Sequence, residues 1–253
     1  DMLTRMISVE QNILVTGSSR GIGRAIADLL HEAGHRVVGH ASRPFPDDSP
    51  DAPEWDVVAA DFGDFRGPDL LWQEAIDLLD GRIDVLINNA GIFVANPIER
   101  GDAEWLAAWD ETMTINLTAS AQLCRFAVQH FLDHANEGRI VNIASRAAYR
   151  GDSPAHWHYA ASKGGMVAMT KSIARAYAGH GIYAFAICPG FTMTGMAEDY
   201  LASRGGDKLL ADIPLGRVAM PDEVATMASF CAIDAPPSMT GAVLDVNGAS
   251  YVR

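Results

Sequence analysis

Along this chain, short runs rich in apolar and β-branched residues alternate with longer stretches whose apolar positions recur every three or four residues. Seven of the short runs read as strands: Asn12 to Thr16, Arg36 to His40, Val57 to Ala60, Ile83 to Ile87, Arg139 to Ala144, Tyr183 to Ile187 and Ala242 to Val246. Helical periodicity fills most of the gaps, and that alternation is the signature of βα units around a parallel sheet, an α/β fold. Two gaps depart from it. From Arg43 to Asp56 the chain carries Pro44, Pro46, Pro50 and Pro53 among five acidic residues. Proline blocks helix interiors, so a surface loop is predicted where a crossover helix would stand. From Asp102 to Ala135 a long helix is predicted from Trp105, Leu106, Trp109, Leu117, Leu123, Phe126, Phe131 and Leu132, but Thr112, Thr114 and Asn116 weaken its middle. Such a polar interruption either kinks a helix or presents a side chain to a site.

Composition limits what the chain can do. With 253 residues, 49% of them hydrophobic, a single domain over residues 11–253 is expected, and residues 1–10 are set aside as a tail outside the fold. A net charge of -13 with no basic run argues against nucleic-acid and anionic-membrane partners, which are held through clustered Lys and Arg. Cys124, Cys188 and Cys231 lie far apart in apolar surroundings and form no CxxC pair or ligand cluster. Buried free thiols in a reducing cytoplasm are expected. His156 and His158 are too few for a metal site. No stretch offers about 18 uninterrupted apolar residues and residues 1–10 lack an apolar signal core, so neither membrane insertion nor secretion is expected.

Two segments carry candidate chemistry. Thr16-Gly17-Ser18-Ser19-Arg20-Gly21-Ile22-Gly23 leads from the first strand into a helix running to about Ala33. Glycines there let backbone amides approach a pyrophosphate, and a helix N-terminus favours its charge. The residue that reads the adenosine ribose in such folds ends the second strand about twenty residues on, near Ala41. No carboxylate stands at Ala41 or Ser42, whereas Arg43 follows and Arg20 lies in the turn. A 2'-phosphate is better accommodated than a free 2'-hydroxyl, so NADP is expected over NAD.

The second segment is Val141 to Met166. Tyr159 and Lys163, four apart among small residues, are predicted to share one helix face. The ammonium is expected to lower the phenol's pKa by about 2 to 3 units, as a cation near 4 Å does at an effective dielectric of about 20. The strand from Arg139 ends at Ser145, whose hydroxyl would meet a substrate oxygen beside the phenol. A Tyr-x-x-x-Lys spacing alone also occurs in helices without catalytic function.

Taken together, the motifs from Ile13 to Gly248 resemble the short-chain dehydrogenase/reductase family in its single-domain form. The matches are TGSSRGIG (Thr16 to Gly23), Asp61, NNAG (Asn88 to Gly91), Asn116, Ser145, YAASK (Tyr159 to Lys163), PGFTMT (Pro189 to Thr194), IPLGR (Ile213 to Arg217) and TG…VNG (Thr240 to Gly248). The resemblance implies a Rossmann-type doubly wound parallel sheet of about seven strands with helices on both faces. It implies Tyr159 as acid and base, Lys163 on the nicotinamide ribose, Ser145 on the substrate oxygen, and Asn116 holding a water that links Lys163 to solvent. It also implies a cofactor site built from Gly17, Ser19, Arg20, Gly21, Ile22, Gly23, Ser42, Arg43, Asp61, Phe62, Asn89, Ala90, Gly91, Pro189, Gly190, Thr192 and Thr194. The chain departs in spacing Ser145 and Tyr159 fourteen apart, where thirteen is commoner, and in Phe185 and Thr192.

Arg146, His158, Phe191 and Met196 are the candidate substrate contacts, and the stretch 191–215 reads as a lid. The helix from Thr114 to Ala135 and the helix after Trp157 carry more apolar surface than one sheet face needs, and the resemblance implies that these faces, with Thr240 to Arg253, pair subunits into a homotetramer, with a dimer as the alternative. The expected activity is an NADP-dependent carbonyl reductase, similar to the branch acting on 3-oxoacyl thioesters. Alternatives are an NAD-dependent alcohol, sugar or diol dehydrogenase, an isomerase or dehydratase, and a nucleotide sensor without turnover.

Overall fold

The computed structural model describes residues 9–46, 48–194 and 210–253. Strands β1 (Asn12–Val15), β2 (Arg36–Ala41), β3 (Asp56–Ala59), β4 (Val85–Asn88), β5 (Gly138–Ile143), β6 (Ile182–Pro189) and β7 (Val243–Val246) form one sheet. Its order is β3-β2-β1-β4-β5-β6-β7 and every pairing is parallel. The seven predicted strands are all present. The fourth starts at Val85 rather than Ile83, because the Ile83 amide is drawn out of the ladder by Nε2 of His130, at 3.1 Å.

Alternate strand residues face opposite layers, as the period of two requires. On one face Ile13, Val15, Val37, Val141 and Phe185 pack against α1 (Gly21–Glu32) and a helix near the C-terminus, α7 (Pro221–Ser229). On the other, Leu14, Val38, Leu86 and Ile140 pack against α2 (Gly67–Leu78) and the helix preceding β5, α4 (Ala119–Asp133). The helix α6 (Trp157–Tyr177), reached from β5 through the single turn α5 (Ala147–Arg150), packs on this second face. Strands buried on both faces explain why several read as continuous apolar runs.

The proline-rich segment makes no helix among its described residues, as predicted. Trp55 takes the missing helix's place: it is 6% exposed, joins the α1-side core and donates Nε1–H to Asp28 Oδ1 at 3.0 Å. Gly39 makes room for it, since a Cβ there would collide with the indole.

The long helical stretch is divided as its polar interruption implied. Helix α3 (Asp102–Met113) passes through a π-helical turn (Thr114–Thr118) into α4, and Asn116 sits on that turn. Among the described residues no helix is long and apolar enough to cross a membrane, no group of His, Cys, Asp or Glu is placed to hold a metal ion, and the three cysteines are buried and free.

Candidate active site

Strand order reverses between β1 and β4, and in open parallel sheets ligands bind at the carboxyl ends of strands beside such a switch point. The glycine turn leaves β1 here and the Asn88–Gly91 segment leaves β4. The two are stitched together: Thr16 Oγ1 accepts the amides of Asn89 and Ala90 at 2.9 and 3.0 Å, and Asn89 Nδ2 donates to the carbonyls of Thr16 and Gly17 at 3.1 and 3.0 Å. Asn89 thus serves the turn itself. Gly17 and Gly21 have φ of +63° and +59°, a region that favours glycine. Helix α1 begins at Gly21 with no side chain capping its first turn, which leaves amide donors of the kind that bind phosphate.

Arg20, Ser42 and Arg43 are exposed at this edge, and neither arginine has an ion-pair partner among the described residues. Asp61 is exposed and caps its own turn by accepting the Gly63 amide at 2.8 Å. Phe62 is 4% exposed and stacks on His40 with centroids 4.1 Å apart, a contact the sequence reading missed. Thr194 lies over the turn, its Cγ2 3.2 Å from where a Cβ on Gly21 would be. The Pro189–Thr194 stretch that brings it there is held by Thr192 Oγ1 on the Gly190 carbonyl and by a bridge between Thr192 and Ala219. These donors, glycines and unpaired cations fit a dinucleotide phosphate.

Ser145, just past the end of β5, accepts the Ala147 amide at 3.1 Å, and its side chain acts on the phenol of Tyr159 to favour the ionised form. Tyr159 and Lys163 share a face of α6 as predicted, with Nζ 5.9 Å from the phenol ring centroid. The net shift of the phenol is opposite to the one expected. Burial pushes Tyr159 up to about 12, against which the opposing effect of Ser145 works only in part. Lys163 is itself brought down to about 8 by burial, and its Nζ donates to the Ile143 carbonyl at 2.8 Å rather than to the phenol. A carbonyl acceptor from β5, which the helix spacing could not reveal, captures the ammonium.

Asn116 is fully buried. Its Oδ1 accepts the Ile92 amide at 2.8 Å, while Nδ2 donates to the Ile92 carbonyl at 3.0 Å and to Ser162 Oγ at 3.3 Å. Ser162 in turn donates to the Tyr159 carbonyl at 2.7 Å, so the π-helical turn, the segment after β4 and α6 are tied at one point. Gly91 leaves space beside it: a Cβ there would lie 3.3 Å from Asn116 Oδ1 and 3.6 Å from Lys163 Nζ.

The candidate substrate residues fare unequally. Arg146 directly follows Ser145, has a mostly buried side chain, and keeps Nη1 4.0 Å from the Asp212 carboxylate, which Arg150 takes at 2.9 Å. His158 is 1% exposed with its ring towards Trp109, so it packs behind the wall instead of lining the pocket. Phe93, not anticipated, borders the phenol: it stacks on His156 at 3.9 Å and meets the Tyr159 ring edge-on at 4.8 Å. Its only sequence signal was its place just after NNAG. Phe191 is described, its carbonyl accepting the Ala219 amide at 2.9 Å; Met196 and most of the expected lid lie outside the described residues.

Buried His40 sits beneath the turn as a neutral ring, its pKa brought down to about 4 chiefly by burial. The unfolded chain takes up this proton below about pH 6.5, whereas the folded chain refuses it until about pH 4. Stability contributed by neutral His40 is therefore lost as pH falls through that window, by up to about 3 kcal/mol. Urea unfolding at pH 7, 5.5 and 4.5 is expected to show a shallower acid loss in His40→Phe than in the unaltered protein; equal slopes would refute the assignment.

A glycine turn at the switch point of a parallel sheet, with a serine just past β5 and a tyrosine and a lysine on α6, defines a dinucleotide-dependent oxidoreductase. The chain belongs to the short-chain dehydrogenase family, whose model matches residues 11–205. It is 34% identical to the 3-oxoacyl-(acyl-carrier-protein) reductase of Vibrio cholerae, over 94% of this chain and 96% of that one. The enzyme of the same name from Escherichia coli is 33% identical over 94% and 96%. A crystal structure of a candidate 2-deoxy-D-gluconate 3-dehydrogenase from Agrobacterium tumefaciens, with bound NADP, superimposes with a TM-score of 0.83 at 32% identity, covering 98% of this chain and 99% of that one. A candidate gluconate 5-dehydrogenase from Beutenbergia cavernae, with NADP at low occupancy, gives the same TM-score of 0.83 at 32% identity, over 96% and 98%.

Proposed function

We propose that this enzyme moves hydride between NADP(H) and a ketone or secondary alcohol, with Tyr159 as the acid in reduction and the base in oxidation. The observation that carries the reading is that Tyr159 and Lys163 share one face of α6, with Nζ 5.9 Å from the phenol ring centroid, at the same carboxyl edge of the sheet as the uncapped start of α1, where Arg20 and Arg43 have no ion-pair partner among the described residues. When bound, the dinucleotide supplies or accepts the hydride at nicotinamide C4. The α1 amides hold its pyrophosphate, Arg20 and Arg43 hold the 2'-phosphate, and the Pro189–Thr194 stretch holds the carboxamide. Ser145 fixes the substrate oxygen against the phenol, which gives that oxygen its proton as the carbon is reduced. Lys163 holds the nicotinamide ribose and places its positive charge beside the phenol. Asn116 holds a water that returns the proton from solvent through Lys163, in the space Gly91 leaves.

A 3-oxoacyl thioester or a similar ketone is the substrate class that the reductase relatives support. Subunits pair through the aromatic surface of α3 and α6, where Leu106 and Trp157 are more than half exposed beside Trp105 and Trp109, to give a homotetramer.

The test is a titration of the purified protein with NADPH and with NADH, following nicotinamide fluorescence. NADPH is expected to bind more tightly. In Arg43→Ala that preference falls about tenfold, the size of one lost charge-assisted hydrogen bond to phosphate. A preference unchanged in Arg43→Ala removes the arginine from the 2'-phosphate, and equal binding of both nucleotides removes NADP(H) as the cofactor.

A further inference from the structure

The phosphate turn is fastened from beneath by a residue that the reaction above leaves unused. His40 lies on β2, 3% exposed, and three partners meet its ring. Nδ1 accepts the Gly17 amide at 3.0 Å. With that nitrogen acting as acceptor, a neutral ring carries its proton on Nε2, which donates to the Ala60 carbonyl at the end of β3, at 2.8 Å. The ring face lies on Phe62, 8° from parallel. The backbone adds to the clamp: Ser18 N–H donates to the His40 carbonyl and His40 N–H to Ser18 Oγ, both at 2.9 Å. Gly17 is thus pinned through its amide by His40 and through its carbonyl by Asn89.

We propose that His40 is a positioning residue for the cofactor, its acceptor nitrogen fixing the Gly17 peptide and so setting affinity for the adenosine-diphosphate half of the dinucleotide. The proposal rests on the NADP(H) reading above and deepens it. A glycine at positive φ has no side chain to restrain it, so its peptide orientation depends on what holds its amide and carbonyl. The acceptor comes from a strand neighbouring β1, whose C-terminal end faces the same crevice as the turn. The same ring supports Phe62, next to Asp61 on the adenine edge, so one side chain joins the pyrophosphate and adenine ends of the cradle.

Two variants separate the acceptor from the ring. His40→Phe keeps an aromatic ring against Phe62 but loses the acceptor for Gly17. His40→Asn keeps an acceptor at the δ position and gives up the ring. Dissociation constants are measured for NADPH by fluorescence, and for 2'-phospho-ADP-ribose, which lacks the nicotinamide half, by competition. His40→Phe is expected to weaken both ligands by about tenfold or more, as expected for a buried amide left without its acceptor, and His40→Asn to stay within about threefold of the unaltered protein. Affinity retained in His40→Phe, an equal loss in His40→Asn, or a loss confined to NADPH would overturn the proposal. If His40→Phe does not fold, His40→Leu tests the same loss of acceptor. Failure of NADPH to bind the unaltered protein is a separate result, and it rejects the cofactor reading before any variant is compared.

Discussion

Tyr159→Phe is expected to lower turnover of a ketone substrate by about 10²- to 10⁴-fold, the range that a positioned proton donor contributes, while NADPH affinity stays within about threefold. The phenylalanine ring keeps the edge-on contact with Phe93 and the packing on α6; only the hydroxyl facing Ser145 is lost. Burial favours the protonated phenol, with a pKa of about 12 in the protein alone, and that is the form needed to donate to a carbonyl oxygen. Its neighbour titrates first. Lys163, near 8, loses its positive charge as pH rises past that value, so reduction is expected to slow above about pH 8 well before the phenol ionises. Steady-state rates across pH 6 to 10 at saturating NADPH check both points. Unchanged turnover in Tyr159→Phe would remove the proposed mechanism altogether.

Gly23→Ala is expected to weaken both the fold and cofactor binding. A Cβ on Gly23 would overlap the Gly17 carbonyl oxygen and Asn89 Nδ2, the two groups that hold the phosphate turn against the segment after β4. Overpacking of this kind costs about 1–3 kcal/mol in stability. The larger consequence is for binding, because displacing positioned groups by about 1 Å costs on the order of 10²-fold, and here the displaced groups fix the turn whose amides are proposed to hold the pyrophosphate. NADPH titration of Gly23→Ala should show a loss of about that size. Gly101→Ala is the control: nothing lies within 4 Å of its Cβ position and its φ is -59°, so both stability and affinity should hold. Equal behaviour of the two variants would contradict the packing argument.

Much of the fold and part of the site were legible beforehand because they rest on local signals. Strand runs, the helix after Gly23 and the Tyr159–Lys163 spacing are written in residues a few positions apart, and the structure keeps all of them. The proline-rich loop was equally legible, but not its cover: Trp55 gives no sign in sequence that it lies on Gly39 and bonds Asp28. His158 and His156 illustrate the limit. They are two residues apart, and helix geometry alone does not say that the first is buried against Trp109 while the second stacks on Phe93.

By itself, then, the sequence determined the parallel α/β architecture, the family and the identities of the catalytic candidates, because periodicity and motif spacing are short-range properties of the chain. Only the tertiary structure decided how those residues are used. The Ile143 carbonyl captures Lys163, burial raises the phenol where a neighbouring cation was expected to lower it, Asn89 is spent on the phosphate turn, and His40 clamps Gly17 from 23 residues away. Each depends on sheet order and on which groups lose water together. Those are long-range outcomes of packing, and no local pattern encodes them.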